Sequence, residues 1–190
     1  GEELGMTNVY FDKLEDYRDV ESFNAYKEMT ETGGVSHEEM MGYLKKIGRD
    51  NARTPMQWDD SENAGFTTGT PWIRVNPNYK EINAKQQVGN PDSVFSYYKE
   101  LIRLRHENEV IVYGDYELLE PDNEELFIYT RTLGDEKLVV LCNFTDHDVM
   151  IPASVMAQIP DDAPIMISNY VGNIPAVLRP YEATVRQIKK

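Results

Sequence analysis

Residues 48–79 read GRDNARTPMQWDDSENAGFTTGTPWIRVNPNY, and the interpretation of the whole chain depends on them. Together with the residues up to 89, this segment follows neither the period of a helix nor that of a strand, and it holds both tryptophans, Trp58 and Trp72. Most loops run only ~4–6 residues. Because a flexible linker seldom carries two tryptophans, we expect residues 49–89 to be a functional loop on a larger scaffold.

The segment after this loop has the clearest helical period in the chain. A helix is predicted over residues 90–109, with Asn90 as its N-cap and Pro91 at its first position. Its last turn is basic, which suits the negative end of a helix. One stripe at helical spacing is expected to be buried and consists of Val94, Tyr98, Leu101, Ile102 and Arg105.

Beyond residue 110 the pattern changes to short strands. Residues 137–144, KLVVLCNF, are almost continuously apolar and predict a central strand that is covered on both faces. Residues 110–190 are therefore expected to form an antiparallel β-sandwich domain. Its other strands are predicted over residues 126–133, 149–151, 165–167 and 182–188.

Two helices are predicted before the loop. The first covers residues 19–31, and the second begins at a capping box of Ser36 and Glu39. Residues 1–109 are expected to form one domain of helices and long loops. The buried stripe of the second helix is expected to consist of Met40, Leu44 and Ile47.

Composition excludes several classes of function. The 190 residues include 19 basic and 33 acidic side chains, so the formal net charge is −14, which argues against a nucleic-acid partner and against an anionic membrane surface. No apolar run approaches the ~20 residues of a membrane span. A single cysteine, Cys142, excludes an internal disulfide and predicts a cytoplasmic location. The three histidines are far apart, so we predict no metal site, and nothing indicates a cofactor.

One segment of the loop combines charged, amide and aromatic side chains. Guanidinium and carboxylate groups can bind neighbouring sugar hydroxyls together, and a tryptophan can cover the apolar face of a sugar ring. A structural network of arginines and aspartates that holds the loop is an equally open interpretation. The side chains concerned are Arg49, Asp50, Asn51, Arg53, Gln57, Trp58, Asp59 and Asp60.

Residues 48–79 closely resemble the α-glucosidase subgroup of the α-amylase clan, which includes oligo-1,6-glucosidases, dextran glucosidases, bacterial maltases and trehalulose-forming sucrose isomerases. GEELGMTN at the start, DYRDVES at residues 16–22 and LRPYEATV at residues 178–185 extend the resemblance to the whole chain. The resemblance implies an α+β fragment: the helices and loops that follow the eighth strand of a (β/α)₈ barrel, the eighth barrel helix at residues 90–109, and a Greek-key C-terminal sandwich.

The resemblance implies sugar-binding residues but no catalytic ones, because the three catalytic carboxylates of the family precede the part represented here. Arg49 resembles the arginine at the floor of the −1 subsite, which pairs with an aspartate from the first half of the barrel and contacts the terminal glucose. Glu21 resembles a glutamate that contacts the sugar at +1. We expect Asp50 and Arg53 to hold the loop, and Trp58 to serve in packing.

The function implied is that of a retaining α-glucosidase that hydrolyses α-1,6 bonds of isomalto-oligosaccharides, with this chain as its inactive C-terminal portion. The expected partners are the oligosaccharide and either the missing barrel portion or a second copy of the chain. Three alternatives stay open: a sucrose isomerase, an α-1,4-glucosidase, or a non-catalytic carbohydrate-binding or structural module. The residue that sets linkage preference in the family follows the nucleophile and is not represented in this sequence.

Overall fold

The structure is a computed structural model that describes residues 1–189. The chain divides into two compact units, Gly1–Lys99 and Glu100–Lys190. This division falls inside the helix expected at residues 90–109, and the domain assignment of 1–109 and 110–190 stays a prediction. Within residues 1–189, helices occur beside an antiparallel sheet, which confirms the α+β character. In that range we find no helix with the length and apolar composition needed to cross a membrane.

Both helices predicted in the first unit are present. They are α1 (Val20–Glu31) and α2 (His37–Ile47). The capping box before α2 is complete, because the backbone N–H of Glu39 donates to Ser36 Oγ at 3.2 Å and the N–H of Ser36 donates to the Glu39 carboxylate at 3.0 Å. The two bonds satisfy amide groups that have no partner within the helix, and they explain why α2 begins where it does.

The core of the first unit is formed by α2, the segment before α1 and one residue of the long loop, Ile73. Met40 and Leu44 are buried as predicted, but Ile47 is 80% exposed, so its assignment to the buried stripe is wrong. Ile47 is the last residue of α2, and the backbone turns away at Gly48. The core consists of Val9, Phe11, Tyr17, Met40, Met41, Leu44 and Ile73.

The long loop is ordered by its side-chain amides. Gln57 Nε2 donates to Asn78 Oδ1 at 3.1 Å and to the backbone oxygen of Ile82 at 2.5 Å, while Asn76 Nδ2 donates to the oxygen of Thr7 at 2.9 Å. These amides satisfy backbone groups that irregular structure would otherwise leave without partners. The regular elements are two short 3₁₀ turns, Arg49–Arg53 and Pro77–Lys80, and the single-turn helix α3 (Ala84–Gln87), whereas Glu62–Gly65 is an irregular turn in which Asn63 and Ala64 have positive φ.

The helix predicted from residue 90 begins later, as α4 (Val94–Glu107). Asn90 and Pro91 instead belong to a turn in which the N–H of Ser93 donates to the oxygen of Asn90 at 3.3 Å. The prediction of Asn90 as N-cap is therefore wrong, since Ser93 Oγ accepts the N–H of Ser96 at 3.2 Å and takes that role. Proline fixes the backbone angle φ that this turn needs at its second position.

The apolar stripe of α4 is not buried as predicted. Val94, Leu101 and Ile102 are exposed, and the buried residue of this helix is Leu104. Spacing identifies the apolar face of a helix, but it does not establish that another element covers the face. Within residues 1–189 these three side chains stay accessible to solvent.

The second unit contains the sheet. Its elements are α5 (Glu109–Tyr113), β1 (Asp115–Leu119), β2 (Leu126–Leu133), β3 (Glu136–Asn143), β4 (Val149–Met150), α6 (Ala153–Met156), β5 (Ile165–Ser168), β6 (Val177–Leu178) and β7 (Ala183–Lys189). Five strands form an antiparallel sheet in the order β1-β2-β3-β7-β5, and β4 pairs with β6. The predicted strands are present, whereas β1 and β6 were not predicted. The barrel context and the Greek-key connection stay predictions.

The central position of β3 is confirmed by its pairing with β2 and β7. Its faces differ, because successive side chains of a strand point to opposite sides. Val139 and Leu141 lie in a core with Ile128, whereas Val140 is half-buried and borders an open groove of about 450 Å³. The expectation that β3 is covered on both faces is therefore correct for the face of Val139 and Leu141 and only partly correct for the other face, where Leu138 is buried but Val140 is not.

Candidate functional site

Five charged side chains meet where the segment before α1 reaches the turn that follows α2. Three lie in the 3₁₀ turn that begins at Arg49, and two lie at the start of α1. Their formal charges are three negative and two positive, so the cluster carries one net negative charge. The members of this charged cluster are Asp19, Glu21, Arg49, Asp50 and Arg53.

Asp50 forms the buried base of the charged cluster. Its side chain is fully buried, and Oδ2 accepts the backbone N–H groups of Arg18 at 2.6 Å and Asp19 at 2.9 Å. Oδ1 has no hydrogen-bond partner within residues 1–189 and lies 3.6 Å from Nη1 of Arg53. Because one carboxylate oxygen binds two successive amides, the backbone just before α1 is fixed in place.

Arg49 binds Asp19 through two parallel contacts. Its Nε donates to Oδ2 at 2.8 Å and its Nη2 donates to Oδ1 at 2.9 Å. Nη2 also lies 2.8 Å from Oε2 of Glu21, and Nη1 of Arg53 lies 3.4 Å from Oδ1 of Asp19. A two-point contact of this kind fixes the plane of a guanidinium as well as its position.

The charges of the cluster stabilise one another. The hydrogen bonds from Arg49 are the main reason that the pKa of Asp19 falls to about 2 from its usual 3.8; burial opposes the shift, and Arg53 adds to it. The same contact raises the pKa of Arg49 above its usual value. Asp19 and Arg49 therefore remain ionised throughout the range in which most proteins are folded.

Two cavities border Arg49. The smaller, of about 160 Å³, is also lined by Asp19 and Glu21 and by residues of α1 and α2. The larger, of about 760 Å³, includes Thr7 and Asn51 in its wall. The larger volume is within the ~300–1,000 Å³ that is usual for small-molecule sites. The guanidinium thus lies beside space in which a sugar-sized ligand fits.

Asparagine side chains build the wall of the larger cavity. Asn8 Nδ2 donates to the backbone oxygens of Lys45 at 3.0 Å and Lys46 at 2.9 Å, and Asn51 Oδ1 accepts the N–H of Val9 at 3.2 Å. The last carbonyls of a helix have no partner within the helix. The amides therefore attach the N-terminal segment to the end of α2, directly before the turn that carries Arg49.

The structure brings together all four residues that the sequence nominated: Glu21, Arg49, Asp50 and Arg53. Sequence reasoning missed Asp19. The available signal was its position immediately before α1, two residues ahead of Glu21. The resemblance implied that Arg49 also pairs with an aspartate from the first half of the barrel, and this pairing stays a prediction; within residues 1–189 Arg49 contacts Asp19 and Glu21.

Two further expectations concern residues outside the cluster. Trp58 is exposed, so it contributes less to packing than expected. In the part of the chain that the structure describes, no group of three or more His, Cys, Asp or Glu side chains is arranged to hold a metal ion.

Comparison with known proteins identifies related enzymes. The alpha-amylase catalytic-domain family model matches residues 1–114. The chain is 50% identical over its full length to the oligo-1,6-glucosidases of Parageobacillus thermoglucosidasius and Bacillus cereus, and it covers 34% of each of them. The chain thus spans about a third of the length of these relatives.

Solved structures of related enzymes share the fold. A trehalose-6-phosphate hydrolase of Bacillus licheniformis is 44% identical with a TM-score of 0.88, over 100% of this chain and 35% of that one. An isomaltulose synthase mutant of Erwinia rhapontici, solved in complex with D-glucose, is 42% identical with a TM-score of 0.88, over 100% of this chain and 34% of that one.

Proposed function

The chain belongs to the α-amylase family, and from this we propose that it supplies part of the sugar-binding rim of a retaining α-glucosidase. The proposed substrates are isomalto-oligosaccharides, whose α-1,6 bonds the complete enzyme hydrolyses. One observation supports this choice above the others: the whole of this chain is similar to oligo-1,6-glucosidases. The charged cluster beside its cavities gives the proposal a physical basis.

The proposed roles follow from the donors and acceptors of the cluster. Arg49 binds a hydroxyl of the terminal glucose at the floor of the −1 subsite, because Nη1 takes no part in the contacts with Asp19 and Glu21. Glu21 accepts a hydroxyl of the sugar at +1 through the carboxylate oxygen that does not face Arg49. Asp50 and Arg53 hold the loop that carries Arg49.

The chemical step itself is assigned to residues outside this chain. A retaining glycosidase uses two carboxyl groups about 5–5.5 Å apart, one as nucleophile and one as acid and then base. We propose that both belong to the part of the enzyme that these 190 residues do not include. The residues present here bind and orient the sugar, which lowers the barrier by holding the reacting groups in place.

The remaining architecture is proposed by the same argument. Residues 1–109 form the end of the catalytic barrel, and residues 110–190 form a Greek-key domain. A cytoplasmic location is supported by the free thiol of Cys142. A sucrose isomerase is the second candidate, because isomaltulose and trehalulose synthases share the fold at a TM-score of 0.88.

A chimeric enzyme tests the proposal. This chain would replace the matching segment of the Bacillus cereus oligo-1,6-glucosidase, and glucose release from isomaltose would be measured for the chimera, for the host and for the 190-residue chain alone. We expect the chimera to release glucose and the isolated chain to release none. A chimera that melts as cooperatively as the host but releases no glucose would overturn the proposal.

A further inference from the structure

We propose that Asp19 is a positioning residue, which acts through Arg49 to hold the guanidinium in the orientation that binds the sugar. This inference rests on the function proposed above, because it gives a role to a residue beside the proposed subsite. It also makes a claim about the isolated chain, namely that Asp19 immobilises the side chain of Arg49. The two claims are tested separately.

Arg49 needs such an anchor because its side chain is largely open to solvent. It is 57% exposed, whereas the carboxylate that holds it is only 8% exposed. An exposed arginine has many rotamers of similar energy, and fixing them costs conformational entropy. The two-point contact with Asp19 selects one of them before any ligand arrives.

Asp19 is itself held from two sides. Its backbone N–H donates to Asp50 Oδ2 at 2.9 Å, and its Oδ1 lies 3.4 Å from Nη1 of Arg53. It also precedes α1 directly, where the positive end of the helix favours a carboxylate. Buried Asp50 therefore holds the backbone of Asp19, and the side chain of Asp19 in turn holds the exposed guanidinium of Arg49.

Some N–H groups of the Arg49 guanidinium are not used in its contacts with Asp19 and Glu21. Nε carries one N–H, which donates to Asp19, and Nη2 carries two N–H groups; Nη2 donates to Asp19 and also forms an ion pair with Glu21 at 2.8 Å. The two N–H groups of Nη1 take no part in these contacts. Asp19 thus occupies one edge of Arg49 and leaves another donor pair for hydroxyl oxygens, without touching the ligand itself.

A double-mutant cycle in the chimera separates positioning from general support. Asp19→Asn keeps the size of the side chain but removes one of the two acceptors, and we expect kcat/KM for isomaltose to fall about tenfold. If Asp19 acts through Arg49, the same substitution in an Arg49→Ala background changes kcat/KM less than about twofold. Equal effects in both backgrounds would contradict the inference.

Asp12→Asn is the control, because Asp12 is not a member of the charged cluster and forms an exposed ion pair with Lys45 at 2.9 Å. Its kcat/KM should equal that of the unsubstituted chimera. Asp19→Glu tests geometry as opposed to charge, since it keeps the carboxylate but moves it by one methylene. We expect kcat/KM of the glutamate variant to recover no more than partly.

Nuclear magnetic resonance of the 190-residue chain decides the claim about immobilisation even if the chimera is inactive. We expect exchange of the Arg49 Nε–H with solvent to accelerate at least about fivefold in Asp19→Asn and to be unchanged in Asp12→Asn. Equal exchange in the parent and Asp19→Asn would overturn the positioning role. If the chimera is folded but inactive, and exchange of the Arg49 Nε–H is accelerated in Asp19→Asn of the 190-residue chain, the proposed function is refuted but the structural role of Asp19 is supported.

Discussion

Replacing Asp50 by alanine should destabilise the first unit more than any other single change in the charged cluster. The substitution removes the acceptor of two backbone N–H groups, at 2.6 Å from Arg18 and 2.9 Å from Asp19. Hydrogen bonds to a charged group contribute ~1.5–3 kcal/mol each, so the expected loss of unfolding free energy is ~3–6 kcal/mol. Asp50→Asn keeps an oxygen that can accept both N–H groups but removes the charge, and it should cost roughly half as much because hydrogen bonds between neutral groups contribute about half of those to a charged group.

Native-state hydrogen exchange of the 190-residue chain measures this effect at the affected atoms. The amides of Arg18 and Asp19 should exchange at least about a hundredfold faster in Asp50→Ala, because ~1.4 kcal/mol corresponds to a factor of ten. Asp60→Ala is the control, since Asp60 is exposed and forms a surface ion pair of 3.5 Å with Lys85. If both variants exchange alike, Asp50 does not hold the loop.

Three further predictions concern the pH response, the sheet and the helix cap. The pKa of Asp19 is lowered to about 2 from 3.8, so the stability that its ionised form contributes is complete above pH ~4 and is lost as the pH falls towards 2. In an acid titration followed by circular dichroism, the stability of Asp19→Asn should therefore depend less on pH than that of the parent chain. Val139→Asp should lower the free energy of unfolding in urea by ~3 kcal/mol or more, because Val139 is fully buried. Val140→Asp, at a half-buried position on the opposite face of β3, should lower it clearly less, and equal losses would refute the assignment of faces. Ser36→Ala should lower the stability of α2 by ~1 kcal/mol in the same assay, and an unchanged midpoint would show that the capping box contributes nothing.

The periodic parts of the fold were predictable from the sequence. Helix α2 combines a capping box with apolar residues at helical spacing, and β3 is an apolar run bounded by turns. Both signals are local, so they identify an element without knowledge of its neighbours. The same locality explains the errors. Ile47 has the spacing of the buried stripe but lies at the last turn, and the exposed stripe of α4 shows that an apolar face need not be covered.

The start of α4 could not be predicted because two cap signals compete. Asn90 followed by Pro91 is a good helix start, but it is an equally good turn, and Ser93 three residues later supplies the cap. The choice between them depends on tertiary contacts. Gln87, for example, accepts the N–H of Phe95 at 3.1 Å and donates to the backbone oxygen of Leu4 at 2.7 Å.

The charged cluster was predictable in part. Arg49, Asp50 and Arg53 are close in sequence, and the resemblance to α-glucosidases singled out Glu21. Asp19 was missed because a single aspartate before a helix is usually read as an N-cap, yet its side chain makes no capping bond here and binds Arg49 instead. Contacts between residues thirty positions apart require the fold itself.

The kinetics of Arg49→Lys in the chimeric enzyme test the central claim, that this chain contributes a sugar-binding residue to an α-glucosidase. Lysine keeps the charge but lacks the fork of donors that can bind a carboxylate and a hydroxyl together. We predict that kcat/KM for isomaltose falls about tenfold to a hundredfold, while the melting temperature changes little. Arg53→Lys should instead act mainly on the melting temperature. An Arg49→Lys variant with unchanged kcat/KM and a lowered melting temperature would contradict the account, because Arg49 would then only hold the loop.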